Sequence, residues 1–141
     1  MYPNITGKIR SDPGGDGAFG APRAKIVHGA TVRYLHKGVD FALNLGDPVF
    51  SPCAARVVRI SRPYTSEAYS GLMFAAKRME FKMWYFQPLD NIVGSIVREG
   101  ELVGHAQAIS KKYLKQGVTD HIHFEISVID PMIIFIGEIT R

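Results

Sequence analysis

From residue 39 onward, apolar and polar residues alternate with a period of two, and turn-forming residues interrupt the pattern. The clearest run is Asp120-His121-Ile122-His123-Phe124-Glu125-Ile126. Ile122, Phe124 and Ile126 share one face, and His121, His123 and Glu125 share the other. That is the pattern of a half-buried strand whose polar face is free for chemistry. Shorter runs over residues 39–43, 48–50 and 55–60 predict further strands, parted by Gly46-Asp47-Pro48 and Ser51-Pro52. Residues 61–71 are polar and loop-like. Residues 72–76 and 80–86 predict a hairpin pair, with Pro88 ending the second strand. Residues 94–104 carry two short apolar stretches around Arg98-Glu99-Gly100. One helix is predicted, over residues 108–116 with Gly117 as its cap, and a last apolar stretch covers 132–136. Near the start, Ser11-Asp12-Pro13-Gly14-Gly15-Asp16-Gly17 is too rich in glycine for a helix or central strand and predicts a surface loop. The expected organisation is a loop-rich segment over residues 1–18 and one domain over 19–141. The expected fold is mostly β, a small antiparallel sheet domain with one short helix.

Composition narrows the function. A chain of 141 residues with 46% hydrophobic content supports one domain with a core of its own. No apolar run reaches the length of about 18 residues needed for a membrane span. The first twenty residues are polar and lack an apolar core segment, which predicts no secretory signal. A net charge of +4 leans toward a polyanionic partner such as a cell-wall polymer. Without an arginine-rich helix or an aromatic-basic motif, nucleic acid is not expected as a partner. Cys53 is the only cysteine, which excludes an internal disulfide and an all-cysteine zinc site; it reads as a small core residue.

The two histidines of the strand are one side-chain repeat apart, roughly 6.6 Å along the backbone. They can touch one metal ion, or one can bind it while the other handles a proton. A second stretch, His36-Lys37-Gly38-Val39-Asp40, brings another histidine and a carboxylate; its glycine and valine favour a turn entering a strand over a helix. A catalytic zinc site takes three protein ligands and leaves a fourth position open. His36, Asp40 and one of His121 and His123 make that set, and the remaining histidine can take a proton from an attacking water. An iron site using both strand histidines, as in a cupin, needs a further downstream ligand, and no histidine follows His123.

With these residues in view, the chain resembles the lysostaphin-type zinc endopeptidases, the LytM-like enzymes that cut bacterial cell walls. The resemblance runs from about Phe19 to Glu125. It includes Phe19-Gly20, the His36-x-Gly38-Val39-Asp40 stretch, Gly46-Asp47-Pro48-Val49, Ser51-Pro52, the Val97-to-Gly104 segment and His121-Ile122-His123-Phe124-Glu125. It implies one zinc ion per chain held by His36, Asp40 and His123, with His121 as the catalytic histidine. It also implies an antiparallel β-sheet domain with the zinc in a groove, and hydrolysis of peptide cross-links in peptidoglycan.

Two departures stand out. Where the family carries a further histidine in a Tyr-x-His-Leu segment, this chain reads Tyr85-Phe86-Gln87-Pro88. Gln87 is then expected to donate to the oxyanion in place of that histidine. The same segment resembles that of the leukocyte cell-derived chemotaxins, zinc-binding relatives held not to be peptidases. A zinc-stabilised binding or structural module is therefore the alternative reading. The second departure is residues 105–120, which replace the family's glycine-, serine- and threonine-rich loop beside the substrate groove. Among lesser candidates, Glu125 can orient a ligand, Arg33 can meet a substrate carboxylate, and Tyr113 can touch substrate. His28 and His105 read as ordinary loop histidines, and Trp84, Tyr85 and Phe86 as packing. The expected setting is a phage tail or a lysis-associated release, with other tail proteins as possible partners.

Overall fold

The structure is a computed structural model and describes residues 8–65 and 68–136. In chain order its strands are β1 (Ser11–Asp12), β2 (Gly15–Asp16), β3 (Pro22–Val27), β4 (Ala30–Leu35), β5 (Val39–Ala42), β6 (Pro48–Phe50) and β7 (Ala55–Ile60). They continue as β8 (Gly71–Ala75), β9 (Met79–Trp84), β10 (Phe86–Pro88), β11 (Ile96–Val97), β12 (Leu102–Ala106) and β13 (His121–Ile129), followed by a single helical turn, α1 (Met132–Phe135). Every strand pairing is antiparallel. A six-stranded sheet has the order β11-β7-β8-β9-β13-β5, and a three-stranded sheet the order β10-β12-β6.

Alternation explains how these sheets share one core. Val57 of β7, Leu72 and Phe74 of β8, Phe81 and Met83 of β9 and Ile122 of β13 point to one side and are fully or almost fully buried. Val49, Phe86 and Val103 of the smaller sheet meet them in the same cluster. Phe74 stacks on Phe81 at 4.7 Å, and Phe81 meets Phe124 at 5.2 Å. Burying a large apolar side chain contributes about 1.5–3 kcal/mol, so this face of β13 is held firmly. The opposite face, carrying His121 and His123, is thereby fixed toward the other side of the sheet. Ile126 keeps the expected face, opposite Phe81, but is half exposed; beyond it the register shifts before Val128.

The predicted hairpin is present as β8 and β9, from Gly71 opposite Trp84 to Ala75 opposite Glu80. Three local expectations are corrected, and one hairpin is added. Residues 108–116 form two short 3-10 turns, Ile109–Lys111 and Leu114–Gln116, because Tyr113 between them leaves the helical region; Gly117 does end the second in the left-handed conformation. The second hairpin strand ends at Trp84, ahead of Pro88, and Pro88 instead closes β10, opposite Gly104. The stretch over residues 11–17 is a tight β1–β2 hairpin, not an irregular loop. Residues 22–35, unassigned by pattern, form the β3–β4 hairpin, closed by His28 (φ 50°) and Gly29 (φ 80°). Two positive φ values in a two-residue loop match the twist of the flanking strands.

Candidate metal centre and active site

The site lies where β5 runs beside β13. His123 is paired with Asp40 and His121 with Ala42, so the two motifs, more than 80 residues apart, face each other by sheet register. Gly38 makes the approach possible. A Cβ at that position would collide with the carbonyl oxygen of Phe124 and stand 2.7 Å from Cε1 of His123. The glycine between the histidine and the aspartate is thus the space into which the His123 ring fits.

Three donor atoms converge. His36 Nε2 is 3.2 Å from Asp40 Oδ1 and 3.2 Å from His123 Nδ1, and His123 Nδ1 is 2.9 Å from Asp40 Oδ1. Ligand atoms on a tetrahedron with zinc bonds of about 2.0–2.1 Å are separated by about 3.3 Å. The ring orientations agree. His36 Nδ1–H donates to the Ala18 carbonyl at 3.1 Å, and His123 Nε2–H can donate to Glu125 Oε1 at 3.0 Å, which turns the other ring nitrogen of each toward the common point. Two imidazole lone pairs and a carboxylate oxygen facing one point require a cation among them, a proton or a metal ion. His36, Asp40 and His123 form the one group of possible metal ligands among the described residues. The donor set fits zinc.

His121 stands beside this cluster and outside it. Its Nδ1–H donates to the Thr119 carbonyl at 2.7 Å, and its Nε2 is 3.7 Å from Asp40 Oδ2. Burial pushes the pKa of His121 below the usual histidine value, against the opposing pull of Asp40. Burial lowers His36 in the same way. Burial by itself would raise Asp40, but the His123 hydrogen bond and the nearby histidines bring it down to about 2. On its outer oxygen Asp40 also receives Arg10 Nε at 3.2 Å, and Arg23 is 3.6 Å away.

Aromatic rings complete the centre. Trp84 stacks on His123 with centroids 5.3 Å apart, and Tyr85 meets His121 edge-on at 5.3 Å. Tyr85 holds φ at 75°, an uncommon value for a residue with a side chain, at the point where the chain passes from β9 to β10. A groove of about 640 Å³ runs over the site. One wall is built from Tyr64, Tyr85 and Tyr113, whose hydroxyls are linked at 3.2 and 2.6 Å; Arg23, Lys37 and Lys115 line it with positive charge.

The structure therefore brings His36, Asp40, His121 and His123 together, with Glu125 against His123 and Tyr113 in the groove. It does not bring Gln87. The positive φ of Tyr85 breaks the alternation, so Phe86 and Pro88 turn into the core and Gln87 is exposed on β10, opposite His105. Gln87 does not line the groove. Trp84 and Tyr85, expected to serve packing alone, are site residues, whereas Phe86 is core. Arg33 is exposed on β4, His28 sits in a hairpin turn, and burial raises the half-buried Cys53 thiol, which suits an inert residue. Arg10, Arg23 and Tyr64 were not singled out by sequence. Their partners at the site lie 17 to 49 residues away, and no local pattern marks such pairs.

An antiparallel β domain with a His-Asp-His donor set in a groove, and a further histidine beside it, defines a metallopeptidase-like class. The chain belongs to Peptidase family M23, whose sequence model matches residues 34–132. That family is zinc-dependent in general. The fold is shared with the catalytic domain of lysostaphin from Staphylococcus simulans (TM-score 0.54, 22% identity, 82% of this chain and 87% of that one). It is shared also with LytU (TM-score 0.52, 20% identity, 73% and 71%). Leukocyte cell-derived chemotaxin-2 of Bos taurus is 30% identical over 93 residues, 64% of this chain and 59% of that protein. The Mus musculus protein is 28% identical over 92 residues, 64% and 58%. The chain spans less than two thirds of the length of these two relatives.

Proposed function

We propose that this protein is a zinc metalloendopeptidase that hydrolyses peptide cross-links of bacterial peptidoglycan. The reading rests on one observation above the others: a buried histidine, His121, that the metal donor set does not use stands beside it with Nε2 unprotonated in the neutral ring. A purely structural metal site has no use for such a group. When bound, zinc supplies a Lewis acid that polarises the scissile carbonyl and acidifies water. His36, Asp40 and His123 would hold it. His121, kept neutral by burial, accepts a proton at Nε2 during attack and returns it to the leaving amine. Asp40, with its outer oxygen 3.7 Å from Nε2, stabilises the imidazolium in between. The tyrosine wall bounds the groove on one side, and Arg23, Lys37 and Lys115 favour a substrate that carries carboxylates.

The test is release of free amines from purified peptidoglycan, with His121→Ala as the blank. Release above that blank supports the peptidase; no release on walls of any chemistry, with zinc still bound, leaves the alternative. That alternative, a zinc-stabilised binding module, is favoured by the exposed position of Gln87 and by the likeness to the chemotaxins. A phage tail- or lysis-associated setting accompanies the proposal, and mass spectra of purified particles against lysate test it.

A further inference from the structure

The β1–β2 hairpin lies ahead of the residues matched by the family model, yet it reaches the centre of the site. Its key residue is Asp12, whose side chain is 5% exposed. Asp12 Oδ1 accepts from Arg10 Nη1 and from the Gly14 amide, each at 2.8 Å, and Oδ2 accepts from the Thr119 amide at 2.8 Å. The contacts with Arg10 and Thr119 lead to site residues. Arg10 passes on to the outer oxygen of Asp40 at 3.2 Å. Thr119 is the residue whose carbonyl takes the Nδ1 proton of His121 at 2.7 Å. Pro13 and Gly14 at the hairpin tip line the groove and pack against Val118 and Gly117, so the contact reaches the whole approach to β13.

We propose that Asp12 is a positioning residue for His121. It pins Thr119 so that the carbonyl selects the tautomer with the proton on Nδ1 and leaves Nε2 to face the metal centre. A histidine free to exchange tautomers presents a proton at Nε2 for part of the time and cannot then act as a base. Without the Asp12 acceptor the Thr119 amide loses its partner, the 117–120 segment is held by fewer bonds, and the carbonyl no longer stays in line with the ring. Arg10, bound by the same carboxylate, ties this arm to Asp40. The effect on turnover rests on the peptidase reading; the tautomer of His121 does not.

The experiment compares the native chain with Asp12→Ala, Asp12→Asn and Ser11→Ala, all zinc-loaded. Ser11 is exposed in the same strand and serves as the control. Long-range proton–nitrogen spectra of histidine-labelled protein report the His121 tautomer, assigned by the signals lost in His121→Ala. In the native chain and in Ser11→Ala the signals should be those of a single tautomer with the proton on Nδ1. In Asp12→Ala they should average toward a mixture, with bound zinc unchanged, kcat about 10-fold lower and KM unchanged, as for other groups that orient a reacting side chain. Asp12→Asn keeps one acceptor oxygen and should fall between, and it carries the test should the alanine variant not fold. A single tautomer and native kcat in the folded Asp12 variants overturn the proposal. Loss of zinc in both variants overturns it too, in favour of a purely structural hairpin. Should the native chain show no turnover, the tautomer signals decide alone.

Discussion

Nε2 of His36 stands 3.2 Å from Nδ1 of His123, across 87 residues of sequence, and the inner oxygen of Asp40 closes the triangle. Like-acting acceptors held this close repel unless a cation lies among them. Zinc should therefore bind with one ion per chain, at His36, Asp40 and His123. His123→Ala should abolish stoichiometric binding and His121→Ala should leave it intact, as read by metal analysis after dialysis. Equal loss in both would mean that His121 is a ligand.

Gly38 should tolerate no side chain. Gly38→Ala places a methyl against the Phe124 carbonyl and the His123 ring, where backbone cannot yield cheaply. Overpacking of this kind costs typically 1–3 kcal/mol. The variant should melt at lower temperature and bind zinc more weakly, and an unchanged melting curve would contradict the geometry.

Acid should weaken the metal-free fold in two stages. Burial sets His36 and His121 below their ordinary 6.5, so the unfolded chain binds protons first as pH falls. Stability present above about pH 6.5 is then lost progressively below it. Asp40 adds a second loss, because its carboxyl titrates at 3.8 when unfolded and at about 2 when folded; that contribution is complete above 3.8 and disappears as pH falls through 2. Protons also compete with a metal for its ligands, so zinc should be released on the same acid side. Thermal melts of chelated and zinc-loaded protein across this range measure both effects, and chelated protein equally stable at pH 7 and pH 5 would speak against buried neutral histidines.

Gln87 should matter little and Tyr85 considerably. Gln87→Ala and Gln87→His should both leave amine release within about twofold, since the side chain faces solvent on β10. Tyr85→Phe removes a hydroxyl contact of 3.2 Å to Tyr64 and should cost less than Tyr85→Ala. The alanine variant removes the edge-on partner of His121 as well and should lose about 10-fold or more, in the manner of other misplacements near reacting groups. A large loss in Gln87→Ala alone would restore the oxyanion role expected for it from sequence.

The alternation of Ile122 and Phe124 with His121 and His123 was enough to set one strand with a core face and a chemical face, because the side-chain period of a strand is fixed by its pleat. The same holds for β7 and the β8–β9 hairpin, where Val57, Leu72, Phe74, Phe81 and Met83 form the core face. The His36-x-Gly38-Val39-Asp40 stretch was legible because its glycine and valine disfavour a helix and set a turn ahead of a strand, whereas the room Gly38 leaves for the His123 ring exists only in the fold. The turn at His28-Gly29 was within reach of the same reasoning and was passed over because its strands bury little. Other features arise only when distant segments meet. Nothing local tells that Arg10 pairs with Asp40, or that Asp12 holds Thr119 across 107 residues. The fate of Gln87 turned on a single backbone angle. With φ of Tyr85 at 75°, the chain changes sheets, Tyr85 falls beside His121, and the residue that matched the family's histidine by position faces away. Spacing along a chain specifies which residues can share a face, whereas the sheet register and the turn between two sheets decide which of them reach the metal.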